Sequence, residues 1–379
     1  MTSRERVLCS LNHEEPDRVP FFLGTSGVTS MLMPAYERLK AHLGIQALPR
    51  YMSRTFRYAQ FDEEVLVRLG SDGRPLLAGP APGKLRKEIS PDSFRDEWGV
   101  VWQLKPGVLY YETSNPPLRD ATLADLDRYP WPDLAHPSRF AGLAAQARKM
   151  HEDTPYAIVA MSGVSPHEMI CLLRGMDIWL MDLVADPEFA RALLTKVTGL
   201  MIAGVTAMLK EVGPYIDLIV MGDDMGTNSG PVMSPRTYRE VLKPYHTEMI
   251  SAVKQNTQAK IFFHTDGNVY PLIPDLIDVG IDILNPVQVS ANDMGDTARL
   301  KREFGKNISF CGGIDTQDVL PHGTPDSVRA EVCRRLKDLG PGGGYIAASV
   351  HCIQPDVPLE NVLAMFDEIA VSGKYPLPR

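Results

Sequence analysis

From residue 156 to residue 350 the chain repeats one pattern. A short, nearly continuous apolar run ends in a polar or glycine-rich tip, and a longer amphipathic stretch follows. The runs fall at 157–161, 216–221, 261–264, 281–285, 308–311 and 345–348. Apolar runs this short, without polar alternation, suit strands of a parallel sheet covered by helices. The intervening stretches, including 187–212, 235–255, 325–339 and 359–371, carry helical spacing.

The first part of the chain reads less regularly. An amphipathic helix ends near Asn12, and a turn at Glu14-Glu-Pro-Asp-Arg18 feeds a short strand over 19–23. A helix is expected over about 30–43, where Met31, Met33, Tyr36, Leu39 and Leu43 lie near helical spacing. Another, over about 62–69, precedes a strand near 75–77. Residues 80–135 break the alternation with proline, tryptophan and charge: Asp96-Glu-Trp-Gly99, Tyr110-Tyr-Glu112, Tyr129-Pro-Trp-Pro-Asp133. They are expected to form a β-hairpin excursion leading to a helix at 137–150. That is an insertion over one end of a single domain spanning 1–379, not a second domain with its own core. Counting the early strands gives about eight βα units, the number in a TIM (β/α)8 barrel of the α/β class. A doubly wound open sheet is the alternative, and no GxGxxG follows the first strand to favour it.

Composition narrows the function classes. The 379 residues carry a formal charge of −8, which argues against a wide nucleic-acid or anionic-membrane surface. No apolar run looks long enough to span a bilayer, and the N-terminal residues lack the apolar core of a signal peptide, so a cytoplasmic protein is expected. Five scattered cysteines with no CxxC pair argue against a disulfide framework or a zinc knuckle.

The strand tips carry the candidate chemistry. In a TIM barrel the C-terminal strand ends converge on one mouth. Here they present Ser26, Ser162, Asp223 with Asp224, His264 with Asp266, Asn285 with Gln288, Asp315 and His351. His264 and Asp266 stand two apart, so they can share a face. With His351 they make a two-histidine, one-carboxylate set, a ligand count that suits a catalytic divalent metal such as zinc. The competing reading of His264 is a core histidine with a hydrogen-bonded partner. Asp223 and Asp224, being adjacent, point oppositely, so one is expected to face the mouth and the other to cap a helix or turn. His167 follows Ser165-Pro166 at a helix start and could reach the mouth. His13, His42, His136, His151, His246 and His322 read as solvated, Arg236 and Arg239 as helix-surface charges, and Arg54 and Arg57 as a solvated face or an anion pair.

Four segments together resemble the uroporphyrinogen decarboxylase superfamily. They are His264-Thr-Asp-Gly267, Val279-Gly-Ile-Asp-Ile-Leu-Asn-Pro-Val287, Cys311-Gly-Gly-Ile-Asp315 and His351-Cys-Ile-Gln-Pro-Asp-Val-Pro-Leu-Glu-Asn361. The opening Arg4-Glu-Arg-Val-Leu8 and Pro16-Asp-Arg-Val-Pro20 are similar to its methyltransferase-type branch. The resemblance runs nearly end to end and implies a TIM barrel with its site at the C-terminal mouth. Decarboxylases of the superfamily carry an Arg-Gln-Ala-Gly-Arg motif after the first strand, where this chain has Gly24-Thr-Ser-Gly27. Their tyrosine falls on Cys171, while their histidine in the last strand's loop matches His351. The cobalamin-linked methyltransferases hold zinc with a His-x-Cys and a later cysteine. In this chain those positions become His264-x-Asp266 and His351, next to Cys352. Imidazole and carboxylate leave a metal more electrophilic than thiolates do, which suits polarising an ether oxygen.

The resemblance implies a methyltransferase acting on a small methoxylated or methylated compound. A corrinoid on a partner protein would exchange the methyl group, a metal would sit on His264, Asp266 and His351, and Asp224 or Asp223 would orient substrate or move a proton. Ser26, Ser162, His167, Cys171, Asn285, Gln288 and Asp315 would surround the substrate. A metal-independent decarboxylase with His351 as proton donor, and a non-catalytic corrinoid- or partner-binding barrel, remain the alternatives. A homodimer is a further expectation.

Overall fold

The protein is represented by a computed structural model that describes residues 1–78, 86–163 and 165–377. Its strands in chain order are β1 (Tyr51–Ser53), β2 (Tyr58–Ala59), β3 (Gly73–Leu76), β4 (Lys87–Ser90), β5 (Ser93–Arg95), β6 (Val101–Gln103) and β7 (Glu112–Asn115). Then come β8 (Ala157–Met161), β9 (Leu218–Gly222), β10 (Lys260–His264), β11 (Ile283–Asn285), β12 (Ser309–Ile314) and β13 (Tyr345–Ser349). Seven of them, β3 and β8 to β13, form one parallel sheet in sequence order. Helices connect the strands and cover the outer face, which gives the α/β TIM barrel.

The eighth staves position is held by an irregular segment rather than a strand. Phe21 bridges Ala347 in parallel, the Phe22 N–H donates to the Ala347 carbonyl, and the Ala347 N–H donates to the Pro20 carbonyl. On its other edge Asp72 N–H reaches the Phe21 carbonyl, while the Phe21 and Leu23 N–H groups bond the side chains of Asp72 and Ser71. The expected strand over 19–23 is thus present in place but not in ladder. Side chains do part of the pairing, and no backbone period records that.

The barrel interior explains where the polar tips point. Ala157, Val159, Leu218, Val220, Phe262, Ile283, Cys311, Ile346 and Ala348 pack inside the sheet with Phe22. Val7 and Leu11 of the helix Ser3–Leu11 plug its lower end. Alternation continues upward: two residues beyond Val220, Phe262 and Ile283 stand Gly222, His264 and Asn285. These three are paired across neighbouring strands, Gly222 opposite His264 and His264 opposite Asn285. His264 therefore points inward because Phe262 does.

Two expectations change. The excursion is not one hairpin but a four-stranded antiparallel sheet, β4 to β7, with Trp102 of β6 packed on Phe94 of β5; residues 80–85 of the expected span lie outside the described residues. The sheet forms because Asp96 accepts from the N–H groups of Trp98 and Val100 and from Trp102 Nε1, fixing the turn. The helical stretch Pro187–Tyr215, which contains the helix Pro187–Val212, is long and apolar enough by length and composition to cross a membrane, contrary to the reading of the sequence. It buries Phe189, Leu193, Val197, Met201 and Met208 along one face against the rest of the fold.

Candidate functional site

The C-terminal mouth of the barrel opens into a cavity of ≈ 760 Å³. Its floor holds Glu168, Asp224, His264, Asp266, Gln288 and His351. Met52, Phe56 and Tyr58 of the β1–β2 hairpin, with Tyr110 and Leu77, form an apolar and aromatic wall. Among the described residues no lysine or arginine lines this cavity.

The loops after β9 and β10 are pressed together, which places Asp224 beside Asp266. Gly267 has φ +87°, and a Cβ on it or on Gly226 would collide with the facing backbone. The close approach lets Asp224 Oδ1 accept from the Asp266 N–H at 3.0 Å and Thr265 Oγ1 accept from the Met225 N–H at 3.0 Å. Gln288 Oε1 accepts the Gly267 N–H at 2.7 Å, tying in the segment after β11.

His264 is oriented from behind. Its Nδ1 lies 2.7 Å from Asn285 Oδ1, while Asn285 Nδ2 donates to the Cys311 carbonyl at 3.2 Å. An amide oxygen requires a donor, so His264 carries its proton on Nδ1 and turns the Nε2 lone pair into the cavity. Nε2 stands 3.8 Å from Asp266 Oδ1 and 3.9 Å from Asp224 Oδ1. His351 Nε2 lies 3.9 Å from Asp266 Oδ2, and the two imidazoles are 5.5 Å apart between centroids. Burial holds the His351 imidazole down at about 4, with the nearby His264 adding to the effect. Burial opposes charge on His264 as well, but Asp266, Asp224 and Asn285 outweigh it and raise its pKa.

One ligand atom each from His264, Asp266 and His351 can lie within 4.8 Å of one another. Asp266 Oδ1 is buried and has no hydrogen-bond partner among the described residues. A buried carboxylate oxygen without a partner, facing an imidazole lone pair at 3.8 Å, is an arrangement that a cation completes. The donor set of two imidazoles and one carboxylate fits a divalent metal, with room in the cavity for a further ligand.

The other sequence candidates are placed differently. Asp224 and Gln288 line the cavity; Asp223 does not. Asp223 is buried and accepts from the N–H groups of His167 and Glu168, each at 3.0 Å, so it caps the helix Pro166–Arg174. His246 Nε2 donates to Asp223 at 2.9 Å and is backed by Tyr238. His246 is therefore buried, not solvated; it lies on the same helical face as Met249, Ile250 and Val253. His167 is buried below the mouth with Nδ1 accepting from Trp179 Nε1 at 3.0 Å, and Cys171 lies 3.8 Å from its Nε2. Asn285 acts behind His264 instead of touching the cavity. Ser26 bonds Thr29, Ser162 Oγ donates to the Val220 carbonyl, and Asp315 caps the N–H groups of Gln317, Asp318 and Val319. None of these three is among the lining residues.

Glu168 is the acidic lining residue that the sequence reading missed, and the aromatic wall of Phe56, Tyr58 and Tyr110 was missed with it. Glu168 is open to the cavity, yet enclosure in the mouth and repulsion from Asp224 raise its carboxyl to about 7. The available signal was the Ser165-x-x-Glu168 spacing of a capping box; the box itself does not form, and the Ser165 hydroxyl donates to the Glu168 carboxylate instead.

Residues 100–371 match the uroporphyrinogen decarboxylase (URO-D) family, and the chain belongs to it. Curated relatives include the uroporphyrinogen decarboxylase of Pelodictyon phaeoclathratiforme, 25% identical over 65% of this chain and 68% of that protein. The one from Coxiella burnetii is 25% identical over 49% of this chain and 48% of that protein, so the chain spans about half to two thirds of such relatives. Among solved structures, a methyltransferase from Methanosarcina mazei superposes over 98% of this chain and 99% of that one, with a TM-score of 0.65 and 20% identity. That likeness establishes the shared fold.

Proposed function

We propose that the protein is a methyltransferase that moves the methyl group of a small methoxylated compound to a corrinoid carried by a partner protein. The observation that carries this reading is the convergence of His264, Asp266 and His351, with Asp266 Oδ1 buried and, among the described residues, without a hydrogen-bond partner. A divalent metal bound there, zinc being one that suits these donors, would supply Lewis acidity toward the ether oxygen. The chain itself does the rest. Asn285 holds His264 in register, Asp224 fixes the Asp266 backbone and orients substrate, and the wall of Phe56, Tyr58 and Tyr110 receives an apolar body and limits water.

The competing reading, a metal-independent decarboxylase, draws on the names of the curated relatives and on His351. The cavity lining argues against a polycarboxylate substrate, which leaves this reading a smaller acid. Holding several substrate carboxylates takes paired cations, and this lining offers three carboxylates with no lysine or arginine among the described residues. The deciding experiment combines metal analysis of purified protein with methylation of cob(I)alamin followed by its visible spectrum, using His264→Ala and His351→Ala as controls. Bound metal that both variants lose, together with methyl-ether-dependent spectral change, supports the proposal. A metal-free wild type that is fully active, or carbon dioxide release without any cobalt spectral change, overturns it.

A further inference from the structure

We propose that Glu168 hands the proton to the oxygen left behind by the departing methyl group, and that Asp223 is the positioning residue that sets Glu168 in the cavity. The assignment rests on the methyl-ether reading above. In that reaction the carbon–oxygen bond breaks, and the methyl carbon bonds to the electron pair of the reduced corrinoid acceptor. The oxygen keeps the pair from the broken bond and needs one proton to leave as an alcohol or phenol. Glu168 would end the step as a carboxylate and recover its proton from water in the mouth.

Three carboxyl groups line the cavity, and two are committed. Asp266 faces the two imidazoles, and Asp224 Oδ1 accepts the Asp266 N–H. The Glu168 side chain bonds only the Ser165 hydroxyl among the described residues. It projects from the first turn of the helix Pro166–Arg174, and that turn is held at its N–H groups by the buried Asp223 carboxylate. His246 and Tyr238 back Asp223 from the helix side, so the pin is itself fixed. Asp223 and Asp224 thus divide the work: one locates Glu168, the other locates Asp266. Asp224, Asp223 and His264 act on Glu168 by charge. Enclosure and the Asp224 charge keep its carboxyl near 7, where an acid is both protonated and able to give its proton.

The test compares wild type and Glu168→Gln on two methoxyarenes, one releasing an acidic nitrophenol and one releasing plain phenol. Loss of a general acid is expected to cost about 10²–10⁴-fold with the poor leaving group and less than about tenfold with the good one. Equal losses on both substrates, or no loss, overturn the assignment. A second readout does not need turnover: the infrared carbonyl band of a protonated carboxyl, present in wild type near neutral pH and missing in Glu168→Gln. Its absence from wild type overturns the assignment as well. Wild type that methylates no acceptor from any methyl ether sinks the parent reading and this assignment with it. That outcome is distinct from an active wild type whose variant shows no leaving-group dependence.

Discussion

Asp223→Ala tests whether the mouth is built from beneath. The Asp223 carboxylate is 1% exposed and accepts three hydrogen bonds, from two backbone N–H groups and His246 Nε2, at 2.9–3.0 Å. Alanine leaves all three donors buried without an acceptor. Each costs about 1–3 kcal/mol when wholly unsatisfied, though water entering the vacated space recovers part of it. A net loss of about 3–5 kcal/mol follows from three such donors. That is a large fraction of a domain's total stability of about 5–15 kcal/mol. The matched control is Asp224→Ala, whose side chain is 39% exposed and accepts one backbone N–H, so its loss is expected to stay below about 1.5 kcal/mol. Equilibrium unfolding in urea, read by tryptophan fluorescence and circular dichroism, gives both values from the midpoint and slope. If Asp223→Ala falls within about 1 kcal/mol of Asp224→Ala, the division of labour between the two aspartates is wrong.

Three further outcomes are expected. Asn285→Leu removes the acceptor that fixes the His264 tautomer, so divalent-metal affinity should fall about 10–100-fold in a chelator competition; unchanged affinity would contradict the orienting role. Glu168 has a folded pKa of about 7, raised from 4.5, so its contribution to stability is fully present below its ordinary range and is lost as pH rises through about 7. Glu168→Gln should therefore gain stability relative to wild type between urea melts at about pH 5 and about pH 8, and a pH-independent difference would count against the raised carboxyl. Asp72 is fully buried and bonds Arg6, Arg18 and the Phe21 N–H, so Asp72→Ala should cost about 3–5 kcal/mol and loosen the segment that closes the barrel. Hydrogen exchange at Phe21 to Leu23 no faster than in wild type would show that the closure does not depend on it.

Much of the fold was legible because six of the seven ladder strands, β8 to β13, are largely buried on both faces, and burial writes itself as nearly continuous apolar runs. The segment around Phe21 was legible as apolar but not as irregular, since Asp72 and Ser71 side chains stand in for part of a ladder there. At the site, the period-two spacing of His264 and Asp266 was visible, and the strand count with the family resemblance brought His351 to them. Which of Asp223 and Asp224 faces the cavity was not visible, because alternation gives opposite directions without saying which is inward. His246 was misread although His246, Met249, Ile250 and Val253 share a helical face, a spacing that marks burial. Asp315 sits at a strand end like the others, yet its carboxylate is consumed by three N–H groups of its own turn. Local hydrogen bonding of that kind competes with a role in the mouth and leaves no long-range pattern in the sequence.

The two ends of the barrel treat acidic side chains in opposite ways, and the contrast makes a last prediction. At the lower end two buried carboxylates meet arginines: Asp72 meets Arg6 at 2.7 Å and Arg18 at 2.8 Å, and Asp217 meets Arg4 at 3.2 Å. At the upper end Glu168, Asp224 and Asp266 share a cavity that no described lysine or arginine lines. Negative charge left unpaired in an enclosed space is costly until positive charge arrives, whether as protons, on Glu168 or His264, or as a metal cation. A cation that binds only the folded chain must then stabilise it by RT ln(1 + [L]/Kd), about 2.7 kcal/mol at a hundred times Kd. Thermal melts with zinc and other divalent ions should show that shift in wild type and lose it in His264→Ala and His351→Ala, whereas a chelator-treated wild type should melt lower. Melting that no divalent ion moves would mean the upper carboxylates are balanced by protons alone, and the Lewis-acid role would fall.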